Sequence, residues 1–209
     1  MTETMVERLR ANTRTWHDAL EAAPFATAML AGTLPLDRYV GQLAAYRVVL
    51  EALEGELSAA TSPSVDSVWS ADPGRLPLID RDLRYFAGSG TAPKPWAAAE
   101  AEEFAQEIRS AAAAEPEALL GFLYVMEGST MGGLVLCPYV TKAYGLGNGD
   151  GVAYYGSGDR GRWAAFTARM NQALTEPGAQ HRVLAAAQRA YHHIAAISQA
   201  LSTGLTPGS

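Results

Sequence analysis

"PEALLGFLYVMEGSTMGGLVLCPYVTKAYGL", residues 116–146 of a 209-residue chain, decides the fold. Over most of its length it reads as one long helix, rich in good helix formers and free of turn clusters. Yet Gly128, Gly132 and Gly133 stand in its middle. Each interior glycine costs a helix about 1 kcal/mol relative to alanine, so the three together forfeit on the order of 3 kcal/mol. Keeping them makes sense where bare backbone is required, either for another helix to pack on Gly128 and Gly132 or for a flat ligand to lie there. On this helix alone the two readings stand level.

The same run is about long enough to span a bilayer by the roughly 20-residue rule. Glu127 sits near its centre, where a carboxylate costs a few kcal/mol, and no Lys/Arg cluster flanks either end. We read it as a buried helix and expect no membrane span.

Working outward, helical signals dominate and period-2 alternation is almost absent, so the expected fold is all-α. A first amphipathic helix is expected over 3–22, then a short segment, "PFATAMLAGTL". Leu36 and Asp37 open a long helix after Pro35, whose stripe of Tyr39, Leu43, Tyr46, Leu50, Leu53 and Leu57 reads as core. The passage "TSPSVDSVWSADPGRLP" reads as a loop before a brief helix at 77–87, and "GSGTAPKP" breaks the chain before Trp96 opens a helix to about 113. After the glycine-bearing helix comes a polar loop, "GLGNGDGVAYYGSG", and two helices, 159–175 and 177–202, close the chain. No linker divides it, which implies one domain over 1–209 with its core at about 8–202.

Sixteen basic residues against 22 acidic ones give a net charge of −6. Without a basic run this is the wrong footprint for nucleic acid or an anionic membrane surface. The one cysteine, Cys137, cannot form an intrachain disulfide and fits a reducing compartment. The charged start, "MTETMVERLRANTR", lacks an apolar signal core, so a cytoplasmic location is expected.

Four histidines offer metal-ligand chemistry: His17, His181, His192 and His193. Glu21 follows His17 by four residues, only 40° round a helix, so imidazole and carboxylate share a face. Arg10 lies on that face too, about 10 Å along the axis. A carboxylate bonded to one ring nitrogen leaves the other free to ligate a metal; the alternative is an exposed i,i+4 pair. His192 and His193 diverge by 100°, so they cannot both face one site. Neither H-E-x-x-H nor C-x-x-C occurs.

"TRTWHDALE" at 13–21 and "LYVMEGSTMGGLVL" at 123–136, with "RMNQAL" at 169–174 and "AYHHIAAISQAL" at 190–201, resemble the heme oxygenases, particularly their bacterial biliverdin-forming branch. The resemblance implies a helical bundle holding heme between the first helix and a kinked glycine-rich helix. His17 would ligate the iron, with Glu21 on its other nitrogen, and Gly128, Ser129, Gly132 and Gly133 would lie over the opposite face. Arg10, Tyr124, Arg162 and Arg169 would hold the propionates; Tyr124 falls one residue from a family tyrosine with that task. The implied reaction opens heme, with dioxygen and electrons from a ferredoxin or flavoprotein reductase, to biliverdin, carbon monoxide and ferrous iron. Many members carry an aspartate directly after the first glycine; this chain has Ser129 there, which implies proton delivery through water. Two rivals remain at this point. One is a heme-binding sensor or carrier without turnover, whose feature is the Cys137–Pro138 pair. The other is a thiaminase-like or quinone-cofactor-forming relative that lost heme.

Overall fold

The computed structural model describes residues 3–69, 74–147 and 149–205. Among them are nine α-helices, two short 3₁₀ turns and no strand. In chain order the helices are α1 (Met5–Glu21), α2 (Pro24–Leu30), α3 (Leu36–Ala59), α4 (Pro63–Trp69), α5 (Leu76–Gly88), α6 (Ala98–Ala114), α7 (Leu119–Tyr144), α8 (Arg160–Ala173) and α9 (Pro177–Ser202). The segments at 70–73 and 148, which belong to the two expected loops, lie outside the described residues.

α1 opens on a capping box. The Glu7 amide donates to Thr4 Oγ1 at 3.3 Å, and the Thr4 amide donates to Glu7 Oε2 at 2.7 Å, satisfying two amides that a helix start leaves orphaned. The first half of α1 buries Met5, Val6, Leu9 and Thr13, chiefly against α9. Its second half leaves His17, Asp18 and Glu21 exposed. The helix is thus held at one end and presents its other end to a cleft.

α3 and α7 form the centre. The stripe from Tyr39 to Leu57 is buried throughout, and α3 packs on α6 and α5. α7 is buried without interruption from Leu119 to Glu127, as expected of a helix apolar all round. It is the one described helix long and apolar enough to cross a membrane, and most of that stretch is buried inside the protein. Its glycines and Pro138 do not interrupt the helix, which ends at Gly145 in the left-handed conformation (φ 63°), a C-terminal stop that suits glycine.

One expected loop contains a helix. α4 occupies Pro63–Trp69, with Val65 and Val68 buried on one side. At seven residues it is too short to show a repeating apolar face in sequence, and its helicity follows from Pro63 at the start and burial of that valine pair.

Candidate functional site

A cleft of about 810 Å³ opens between α1 and α7, with α2, α3 and α9 closing its ends. That volume lies within the usual range for small-molecule sites. α1 contributes Arg10, Thr13, Arg14, His17, Asp18 and Glu21, and α7 contributes Tyr124, Val125, Gly128, Ser129, Met131 and Gly132.

The glycine question resolves by position. A Cβ built on Gly132 would meet no atom within 4 Å, and one on Gly128 would touch only Trp163, at 3.7 Å. Apart from the Trp163 ring of α8, no described residue packs on that face, and its backbone is turned to the cleft. Gly133 is different. It is buried, and a Cβ there would lie 3.0 Å from the Tyr155 carbonyl oxygen. It allows the turn before α8 to press on α7 and does not line the cleft, contrary to the expectation that it would lie with Gly128 and Gly132. Gly133 lies 100° round the helix from Gly132, on the side that Tyr155 covers.

His17 stands at the mouth of the cleft with 54 % of its side chain exposed. Its Nε2 is 3.7 Å from Glu21 Oε1 and its Nδ1 is 3.8 Å from Asp18 Oδ1. Each ring nitrogen therefore has a carboxylate nearby, slightly beyond hydrogen-bond length, so either can be oriented while the other serves as ligand. Asp18 was not among the expected residues, because one position from His17 is 100° away by helical phase. Its side chain spans that gap at the exposed end of the helix.

Arg10 and Tyr124 come together at another edge. Burial pushes the Tyr124 hydroxyl above the ordinary tyrosine range, and the neighbouring Arg10 guanidinium pulls it back down. Tyr191, which also lines the cleft, is pushed up to about 12 by burial, with a hydrogen bond to Thr13 opposing the shift. These tyrosines remain proton donors at neutral pH, beside a permanent cation. Arg14, also not foreseen, lines the same side of the cleft.

Two expected residues are not brought to it. Arg162 reaches Glu127 Oε1 with Nη2 at 3.3 Å, and the Nε of Arg169 donates to the Val68 carbonyl at 3.2 Å. Seven residues apart, they share a face of α8 that turns away from the cleft, whereas Trp163, next to Arg162, does line it. Placing either arginine on a propionate is therefore corrected. Glu127, 4 % exposed, also takes Nη2 of Arg75, likewise 4 % exposed, at 2.9 Å. A buried carboxylate needs such partners, and these tie α7 to α5 and α8 on the side away from the cleft. Cys137 is half-buried and lines a separate hollow with Gly156 and Arg75, not the cleft that holds His17.

Deeper in the cleft lie polar groups that the sequence reading missed. Gln42 accepts from the Tyr155 hydroxyl. Tyr46, pushed up to about 12 by burial, also engages Gln42. Ser129 Oγ is 3.0 Å from the hydroxyl of Tyr154. The signal for Tyr154 and Tyr155 was a pair of aromatics inside a glycine-rich loop; Tyr46 was hidden within a stripe that reads wholly as core.

Residues 3–200 match the heme oxygenase family. Heme oxygenase 1 of a Nostoc species is 28% identical over 178 residues, 84% of this chain and 75% of its own. The heme oxygenase of Takifugu rubripes is 27% identical over 152 residues, 71% of this chain and 55% of its own. Among solved structures, heme oxygenase-2 of a Synechocystis species in complex with heme and NO superposes with a TM-score of 0.85 at 21% identity, covering 96% of this chain and 86% of that one. The structure of heme oxygenase from Leptospira interrogans superposes at 0.81 with 21% identity, covering 96% and 99%. The structural likeness establishes a shared all-α architecture. Since the family pattern runs through nearly the whole sequence, this chain belongs to the heme oxygenases.

Proposed function

We infer that the protein binds heme in the α1–α7 cleft and opens it, with dioxygen and electrons, to biliverdin, carbon monoxide and ferrous iron. The observation that carries this reading is the pairing of an imidazole-bearing helix with a helix whose Gly128 and Gly132 leave bare backbone across a cleft of about 810 Å³. A flat ring fits there. The residues present also suit its chemistry: an imidazole with adjacent carboxylates for iron, and the cation of Arg10 beside Tyr124 for the propionates.

Heme, when bound, supplies both the oxygen-activating iron and the carbon skeleton that is oxidised. His17 holds the iron through one nitrogen, and Glu21 or Asp18 accepts the proton on the other, fixing tautomer and ring orientation. Arg10 and Tyr124, with Arg14, bind the acidic edge. Gly128 and Gly132 admit the ring and dioxygen close to helix backbone, and Ser129 supplies a hydroxyl to the same space. Apolar Phe25, Met29 and Val125 limit the water that enters. Electrons come from a ferredoxin or a flavoprotein reductase.

The test is turnover. Given a reductant and air, with catalase present to remove stray peroxide, the ferric complex should lose its Soret band while biliverdin, carbon monoxide and iron appear together. A complex that survives repeated reduction in air would assign the protein as a heme sensor or carrier.

A further inference from the structure

Ser129 lines the cleft on the α7 side, and its one hydroxyl proton is already committed. Its Oγ lies 2.7 Å from the Met126 carbonyl oxygen, an atom that can only accept. The Tyr154 hydroxyl is 3.0 Å from the same Oγ, so in this pair the phenol donates and the serine accepts. Tyr154 is 2 % exposed, and burial raises its pKa well above the usual tyrosine value, so its proton stays in place. Serine oxygen has two lone pairs. Tyr154 occupies one, and the other is left for whatever enters the cleft.

We propose that Tyr154 is a positioning residue for the reaction: by donating to Ser129 it keeps the serine proton on the Met126 carbonyl, so that this hydroxyl takes a hydrogen from a cleft water and donates none into the space beside Gly128. The proposal rests on the heme oxygenase reading. Among the described α7 residues lining the cleft there is no carboxylate. An oriented water, one hydrogen on Ser129 and the other turned inward, is then able to pass a proton in the space beside Gly128. Phenylalanine at position 154 would keep the edge-on packing against Tyr46, whose ring centre is 6.1 Å away. It would also leave the Met126 carbonyl alone to hold the Ser129 proton, so that the hydroxyl is freer to turn into the cleft and donate.

The heme-free protein tests the bond. Ser129→Ala strands the buried phenol without an acceptor and should raise the unfolding equilibrium constant roughly tenfold. Adding Tyr154→Phe removes the stranded group and should restore most of that loss. Effects that merely add would overturn the proposal. In the ferric heme complex, fluoride is a probe that only accepts hydrogen bonds. Tyr154→Phe should bind fluoride severalfold more tightly than wild type, and the gain should vanish in the Ser129→Ala, Tyr154→Phe double variant. An unchanged fluoride affinity in Tyr154→Phe also overturns it. Failure of wild type to bind heme at all would sink the heme oxygenase reading, and the catalytic half of this inference with it. The heme-free cycle would still report on the Tyr154–Ser129 bond.

Discussion

Replacing His17 with alanine should abolish the normal ferric heme spectrum, and added imidazole should restore it. Among the described residues lining the cleft, His17 is the only imidazole, and no thiol is present. No other described α1 side chain in the lining offers a free nitrogen lone pair or a sulfur to iron. Because more than half of its side chain is exposed, the substitution leaves the heme-free protein within about 0.5 kcal/mol of wild-type stability. The two measurements together, a heme titration and a denaturant curve, separate a lost ligand from a damaged fold. Glu21→Gln should weaken heme binding more mildly, by roughly tenfold, in keeping with a group that orients a ligand without being one. An unaltered spectrum in His17→Ala would remove this residue from the iron.

Two glycines of α7 should respond in opposite ways to leucine. At Gly132 a Cβ meets open space, so Gly132→Leu fills the place proposed for the ring and weakens heme binding by roughly a hundredfold or more. The heme-free protein tolerates it, and gains up to about 1 kcal/mol from better helix propensity. At Gly121 a Cβ would collide with the Val183 carbonyl oxygen and lie 2.8 Å from both the Ala186 Cβ and the Ala187 amide nitrogen. There α7 and α9 touch backbone to backbone, and Gly121→Leu should cost about 3 kcal/mol or more of stability. Circular dichroism melting and heme titration on both variants check the contrast. If Gly132→Leu unfolds the protein while the folded fraction keeps its heme affinity, the glycine face serves helix packing after all.

That contrast shows what could be read before any coordinates. Long helices announce themselves through apolar repeats and punctuation: Pro35 before α3, Pro177 at the start of α9 and Gly145 after α7 fall where their backbone preferences demand. The Arg10, His17 and Glu21 alignment was legible for the same reason, since it needs only 100° per residue. What stays hidden is anything set by a distant partner. Helical phase says that Gly132 and Gly133 face different ways, but not which of them meets the cleft, because that depends on where Tyr155 packs. Arg162 and Arg169 look like free cations until Glu127 and the Val68 carbonyl are seen to hold them. Tyr154 lies 25 residues from Ser129, across a loop with no periodicity, so no local pattern could join them.

The uneven anchoring of α1 has a consequence for exchange with solvent. Its capping box and buried residues all belong to the stretch ending at Thr13, whereas Trp16 and Leu20 are half-buried and the other side chains beyond Thr13 are exposed. The amides of that outer half should open with a free energy far below that of global unfolding, as segments with few buried contacts do. A ring that binds only the closed form raises that opening energy by RT ln(1 + [L]/Kd). Deuterium uptake should therefore be fast over residues 14–21 in the empty protein and slow steeply on loading, while α7 changes little. The segment that carries His17 would then complete its folding on its own substrate, and letting go of the opened product would loosen it again.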